Sequence, residues 1–284
     1  MLKLIIWDVQ HGSAAYLKTP ADKHIVIDLG TGEKTSSFSP LMHLKNTYKI
    51  QQLDEVIITH PHTDHIDDIM NFTALNPRIL VRPKHLSDAD ILKANPGKDM
   101  KKTNKYLEIN KMYSHPVEGA EDPLKAENNG GASINCFIPH ECGTSNINNH
   151  SVVTVIEYLG VKILIPGDNE VVSWKELLED LDFRNAIKNT NIFVASHHGR
   201  ESGYYSELFN YFTPELVIIS DGAYGETSVT DKYTKEAAGW KVYKRSEGEH
   251  TPHERKCLTT RNDGTIEVKV GKGEDGVYMN VTIE

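Results

Sequence analysis

The chain has 284 residues, enough to bury a substantial core as one large domain or two small ones. Its formal net charge of −9 excludes a broad basic footprint for duplex nucleic acid, but not a small phosphorylated substrate drawn to a local metal charge. No stretch approaches the length of a membrane span, and the apolar run at Met1–Asp8 is too short for a secretion signal. Three cysteines, Cys136, Cys142 and Cys257, form no metal motif, and their odd number leaves one unpaired. A reduced, cytoplasmic setting without a membrane partner is the expectation.

In chain order, Leu2–Trp7 reads as a first strand, and Ala14–Lys18 with His24–Asp28 as a hairpin around a turn-rich Thr19–Lys23. A polar stretch over Glu33–Ser39 leads to a helix over Pro40–Tyr48. Leu53–Thr59 reads as a buried strand. His65–Leu75 has helical spacing, with Asp64 at its N-cap. Ile79–Val81 is a short strand, Leu86–Lys111 is helical in part, and Glu118–Gly131 is a loop or linker. Strands are expected over Ser133–Ile138, Ser151–Tyr158, Val161–Pro166, Ile192–Ala195, Leu216–Ser220 and Trp240–Lys244, with a helix over Val171–Leu181. Cys257–Thr260 and Thr265–Val270 read as a hairpin closed by Asn262-Asp263-Gly264, and Val277–Ile283 as a last strand.

The halves echo each other across 118–131. Each has a hairpin ending in glycine and aspartate (Asp28-Leu29-Gly30; Gly167-Asp168), then a helix, then a strand ending in histidines. One domain over 1–284 follows, with two facing mixed sheets, helices outside, and both histidine-bearing loops at one edge.

That edge carries the chemistry. Within six residues, His60, His62, Asp64 and His65 follow the apolar run Val56-Ile57-Ile58. Three imidazoles and a carboxylate are costly to bury unless a cation binds them, and these donors suit a divalent metal. His60 and His62, two apart on extended chain, can point to one side and share one metal; Asp64 and His65 would hold a second. Asp168, read alone, is a turn aspartate or N-cap; beside the first cluster it reads as a bridge between two cations. Of the adjacent His197 and His198, His197 is assigned to the second metal and His198 to the substrate, as acid or hydrogen-bond donor, an order open to reversal. His150 is a possible further ligand, ahead of His140 and Asn149.

These elements in this order resemble the metallo-β-lactamase superfamily, whose signature is His-x-His-x-Asp-His followed by a later Asp and a later His. They are most similar to the branch typified by the soluble domain of the competence protein ComEC (Rec2). The matching elements are Asp8-Val9-Gln10-His11-Gly12-Ser13-Ala14, Ile27-Asp28-Leu29-Gly30, Thr59–His65, Asn148–Val153, Gly167-Asp168 and His197-His198-Gly199. The chain departs from the branch at Gln10-His11 and Ser13, and Tyr224–Thr227 replaces a common turn; His11 either reaches the site or merely packs beside it. The resemblance implies an αββα sandwich.

Two cations about 3.5–4 Å apart would bridge a hydroxide and bring the pKa of its parent water toward neutrality. Asp64, or the aspartate-bridged metal water itself, would handle the proton, and His198 would assist the leaving oxygen. A metal-dependent hydrolase is therefore expected, holding two divalent ions, zinc first and manganese second. The branch resemblance favours a phosphodiester, either a small molecule or single-stranded nucleic acid. An acyl or amide hydrolase (lactamase, lactonase or thioesterase type) is the alternative. A non-catalytic metal-stabilised module and a metal-based redox role stand further off. Lys98, Lys101, Lys102 and Lys105 are the best linear run for a nucleic-acid groove, with a solvated helix face as the simpler reading. His250, His253, Arg255 and Lys256 form a second basic group.

Overall fold

A computed structural model gives the structure of residues 1–32, 38–97, 100–119, 122–222 and 228–284. Most of the polar stretch after Gly32, Lys98, and the turn over 224–227 lie outside these residues.

Alternation of buried side chains sets the layers. In β1 (Leu2–Ile6), Leu2, Leu4 and Ile6 enter the central core while Ile5 and the following Trp7 enter an outer one. The same period of two runs through β2 (Ala15–Lys18), β3 (His24–Ile27) and β4 (Glu55–Ile57), where Ile25, Ile27 and Ile57 face inward and Val26 and Val56 outward. β5 (Ile79–Val81) closes one edge of this first sheet. The second sheet repeats the pattern in β6 (Ser133–Phe137), β7 (Val153–Tyr158), β8 (Val161–Ile165), β9 (Ile192–Val194) and β10 (Leu216–Ile219). Ile156, Ile163, Ile165, Ile192 and Ile218 meet the first sheet, and Val155, Leu164, Phe193 and Val217 face away. Each such side chain taken fully out of water contributes about 1.5–3 kcal/mol, so the period itself selects a two-sheet sandwich.

Helices cover both outer faces. On the first sheet lie α1 (Pro40–Asn46), α2 (Thr63–Ile66), α3 (Asp88–Ala94) and α4 (Met100–Met112), packed through Leu41, Ile66, Ile91 and Tyr106. On the second lie α5 (Val171–Leu177), α6 (Leu181–Ile187) and α7 (Thr230–Glu236), packed through Trp174, Phe183 and Tyr233. Among the described residues, no helix is long and apolar enough to cross a membrane.

Four local expectations are corrected. The helix expected over His65–Leu75 is two pieces, α2 and a 3-10 helix at Ile69–Leu75. Asp68 lies between them; its amide donates to Leu29 O and its carboxylate accepts from Ser39 Oγ, Leu41 N and Asn71 Nδ2, which ties the chain at the break. His62, not Asp64, takes the N-cap position of α2, and Asp64 lies inside its first turn. The C-terminal hairpin is not one. β13 (Cys257–Thr259) runs parallel to β10 in the second sheet, and Arg261-Asn262-Asp263 belong to the short α8 (Thr260–Asp263). The chain then crosses to the first sheet, where β14 (Ile266–Gly273) pairs with β1 and with β15 (Gly276–Ile283). The strand over Trp240–Lys244 shrinks to β11 (Tyr243–Lys244), beside the edge strand β12 (Glu249–His250).

The first sheet runs β12-β11-β15-β14-β1-β2-β3-β4-β5 and the second β13-β10-β9-β8-β7-β6. In each, an antiparallel hairpin (β2–β3; β7–β8) is followed by a strand parallel to its second arm (β4; β9). The C-terminal ends of the parallel strands collect at one edge, the usual place for chemistry in α/β sheets. There Val152 N donates to Thr59 O at 2.9 Å and joins the two sheets.

One core residue breaks the apolar pattern. Glu55 shares the inward face of β4 with Ile57, and among the described residues neither of its buried carboxyl oxygens has a partner. Burial, with Asp122 and Asp54 nearby, pushes its pKa up to about 8. The folded value exceeds the unfolded one of about 4.3. The stability this carboxyl allows is therefore complete at low pH and is lost as pH rises through about 8. Glu55→Gln should stabilise the protein at pH 8 relative to wild type by on the order of 2–4 kcal/mol, and far less at pH 4. Thermal melts at both pH values measure this; an equal shift at both would show that ionisation is not the cause.

Candidate metal centre

The cluster begins where β3 and β4 end. Asp28, fully buried, follows β3 with φ 60°, a left-handed conformation that costs about 1–2 kcal/mol. This turn brings its carboxylate under the next strand's end, where it accepts from Thr59 N (2.8 Å) and Thr59 Oγ1 (2.8 Å). Asp28 Oδ2 also lies 2.7 Å from His65 Nδ1. With its Nδ1 proton given to Asp28, His65 keeps the Nε2 lone pair for the opposite side. The loop between β1 and β2 supports the same segment, with Ser13 N donating to Asp64 O, and so does the turn after β3, with Leu29 N donating to His65 O.

The second sheet brings Asp168. Gly167 lets β8 end this close: its φ is 61°, and a Cβ there would sit 2.7 Å from Thr59 Cβ and 2.8 Å from Ser151 Cβ. Ser151 Oγ accepts from Asp168 N (3.0 Å) and lies 3.1 Å from His60 Nδ1, so one hydroxyl braces a residue from each sheet. Beyond β9, His197 and His198 have φ of 51° and 54°. Two successive left-handed non-glycine residues are a strained arrangement that the surroundings must hold. Ser220 O, past β10, accepts from His198 Nδ1 at 3.1 Å.

The result is an interior knot of imidazoles and carboxylates. Asp168 Oδ1 is 3.3 Å from His65 Nε2, and Asp168 Oδ2 is 3.5 Å from His198 Nε2 and 3.9 Å from His60 Nε2. Asp64 Oδ2 is 3.5 Å from His198 Nε2, and His60 Nε2 lies 2.9 Å from His62 Nδ1. Two overlapping donor sets result, each with its atoms within 4.8 Å: His60, His65 and Asp168, and Asp64, His65 and His198. The Nε2 atoms of His65 and His198 are buried with no hydrogen-bond partner. Two orphaned lone-pair sites facing two carboxylates fit divalent cations of the zinc class, which take imidazole nitrogen and carboxylate oxygen together.

Protonation follows the same geometry. Burial, with His65 alongside, pushes the His60 pKa well below its ordinary value, so His60 is neutral with a lone pair to give. Burial works to lower His198 as well, but Asp168 outweighs it and the pKa rises to about 9. Burial opposes ionisation of Asp168, yet His65 and His198 hold its carboxyl well below the usual range. Without a metal, protons on His65 and His198 do part of a cation's work; metal binding must displace them.

The structure exchanges the positions expected for the two adjacent histidines. His198 turns into the cluster, whereas His197 stands at its rim with both nitrogens engaged: Nδ1 2.9 Å from Ser202 Oγ and 3.2 Å from Glu170 Oε1, and Nε2 accepting from Arg200 Nη1 at 3.3 Å. His150, although adjacent to Ser151, turns away. Its Nδ1 lies 2.9 Å from His85 Nε2 and 3.2 Å from Pro139 O, in a separate group with His85 and His140. Asn149 Oδ1 accepts from Ser173 Oγ and Glu170 N, outside the cluster. His11 does reach the site, half-exposed, with Nε2 3.4 Å from Asp64 Oδ2. Asp28, Ser151 and Arg200 carried no role in the sequence reading; Asp28 and Ser151 lay within the motif series, and Arg200 had no signal beyond following His-His-Gly. Of the basic runs, Lys102 pairs with Asp67, Lys105 with Glu108 and Arg255 with Asp263.

A family model described as the metallo-beta-lactamase superfamily matches residues 8–219. A metal-dependent hydrolase of Saccharolobus solfataricus is 30% identical over 97 residues, which are 30% of this chain and 40% of that protein, so the match spans well under half the relative. Among solved structures, a variant of the CmlA beta-hydroxylase superposes with a TM-score of 0.53 at 11% identity, covering 94% of this chain and 54% of the other. A metal-dependent hydrolase structure from Parabacteroides distasonis has a TM-score of 0.44 at 14% identity, covering 79% and 84%. At 11% identity the likeness to the CmlA variant concerns the fold alone.

Because Asp28 fixes the tautomer and direction of His65, Asp28→Asn should weaken metal binding about 10–100-fold while leaving the circular dichroism spectrum intact. A chelator-competition titration measures this. Unchanged affinity would mean that His65 needs no such brace.

Proposed function

The chain belongs to the metallo-beta-lactamase superfamily, and on that premise we propose that it is a metal-dependent hydrolase whose binuclear centre cleaves phosphodiester bonds. The substrate would be a small phosphoester or a single strand of nucleic acid. The observation that carries this reading is the pair of buried, partnerless Nε2 atoms of His65 and His198 facing the Asp64 and Asp168 carboxylates. Such atoms are costly in a folded interior unless a ligand completes them.

His60, His62 and Asp168 would hold one divalent ion, and Asp64, His65 and His198 the second, with Asp168 shared. His198 takes the ligand role in place of His197 because its nitrogen is the free one. When bound, the pair of cations supplies a water nucleophile at neutral pH and stabilises charge developing on the reacting oxygens. The chain's own residues do the rest. Asp28, Ser151 and Ser220 O hold the Nδ1 sides of His65, His60 and His198, so that all three present Nε2 inward. Asp64 Oδ2, between His198 Nε2 and His11 Nε2, is suited to take a proton from attacking water. His11, half-exposed, is suited to pass that proton to solvent.

Preference for phosphodiesters rests on the ordered series of ComEC-like elements from Asp8 to Gly199. Zinc suits the imidazole-rich donor set, with manganese the second choice. Purified protein supplied with each metal should hydrolyse bis-p-nitrophenyl phosphate, and Asp168→Ala should lower that rate at least about 100-fold. Cleavage of a chromogenic lactam with no cleavage of the diester would contradict the substrate class.

A further inference from the structure

Arg200 differs from the other cations near the site. Its backbone is pinned on both sides: Arg200 N donates to His197 O at 3.0 Å, and Arg200 forms an antiparallel bridge with Ser228. Its side chain is half-buried and reaches back along the rim, where Nη1 donates to His197 Nε2 at 3.3 Å. Its buried Nε has no hydrogen-bond partner among the described residues. Among the described residues, no carboxylate oxygen lies within ion-pair distance of its guanidinium, whereas nearby Lys232 pairs with Glu201 and Lys102 with Asp67. A half-buried cation with an unmade donor is destabilising in the free protein.

Its location says what would satisfy it. One imidazole separates the guanidinium from the shared carboxylate: His197 Nε2 is 3.3 Å from Arg200 Nη1 and 3.8 Å from Asp168 Oδ2. His197 is itself fixed from behind by Ser202 Oγ and Glu170 Oε1, so it acts as a strut that aims the arginine. His11 stands half-exposed over Asp64. In a chain of net charge −9, an arginine beside the centre with no carboxylate partner among the described residues is a local positive spot. The guanidinium fork matches two oxygens of a phosphate, which an ammonium does not.

We propose that Arg200 is an anion anchor at the rim of the metal centre that holds an anionic phosphate oxygen of the substrate, with His197 as its positioning residue. This rests on the phosphodiester reading and deepens it: a neutral lactam or lactone would leave the guanidinium unsatisfied, and the anchor would select against it.

Two measurements on the full-length, metal-loaded protein test this, using Arg200→Gln, which keeps length without charge, and Arg200→Lys, which keeps charge without the fork. Metal content of both variants, measured alongside, should equal that of wild type. In the first measurement, calorimetric titration with inorganic phosphate should show affinity at least about tenfold weaker in Arg200→Gln and intermediate in Arg200→Lys. In the second, steady-state hydrolysis of bis-p-nitrophenyl phosphate should show KM raised about tenfold in Arg200→Gln with a much smaller change in kcat. Phosphate affinity within twofold of wild type in Arg200→Gln, or no phosphate binding by wild type, overturns the anchor. Arg200-dependent phosphate binding without any diester cleavage sinks the hydrolytic reading and leaves the anchor standing. Diester cleavage indifferent to Arg200 does the reverse.

Discussion

Asp168 sits 4% exposed at the seam of the two sheets, with a carboxylate whose nearest polar neighbours are imidazole nitrogens 3.3 to 3.9 Å away. A carboxylate removed from water needs a positive partner or it does not ionise. Much of the surrounding backbone is arranged to meet that condition. Gly167 takes a positive φ so that Asp168 can arrive beside Thr59, and Ser151 Oγ accepts its amide. His197 and His198 take strained left-handed conformations so that one of the two imidazoles can turn inward.

The imidazoles share one logic. Each of His60, His65 and His198 has its Nδ1 against an oxygen of the protein, namely Ser151 Oγ, Asp28 Oδ2 and Ser220 O. Three Nε2 atoms from two sheets are thereby turned toward one small volume. The bracing oxygens come from elements that the central core already fixes, so the apolar alternation of the strands and the direction of the lone pairs are one problem solved together. Arg200 and His197 continue this outward, with Arg200 Nη1 donating to His197 Nε2.

Much of this was legible in the sequence. Strand periods, the hairpin-then-strand order of both halves and the ligand-bearing strand ends could be read because they depend on local pattern. Three features could not. Which of His197 and His198 turns inward depends on two successive left-handed non-glycine residues, which the following Gly199 does not by itself announce. His150 ends a 3-10 turn and Ser151 begins the extended chain after it, so the two face different ways; the sequence does not say which of them the site receives. Asn262-Asp263-Gly264 has the composition of a hairpin turn, yet β13 finds its partner in β10, some forty residues earlier, because the second sheet's edge is open there and local turn chemistry is outweighed.

The central claim is that these side chains form a two-ion centre in which His198, and not His197, is a ligand. Metal content per chain, measured on wild type, His198→Ala and His197→Ala after saturation with zinc and removal of the excess, tests it most directly. The account predicts two ions in wild type, one in His198→Ala and two in His197→Ala. Wild-type protein that binds no metal, or a loss in His197→Ala with none in His198→Ala, would contradict it.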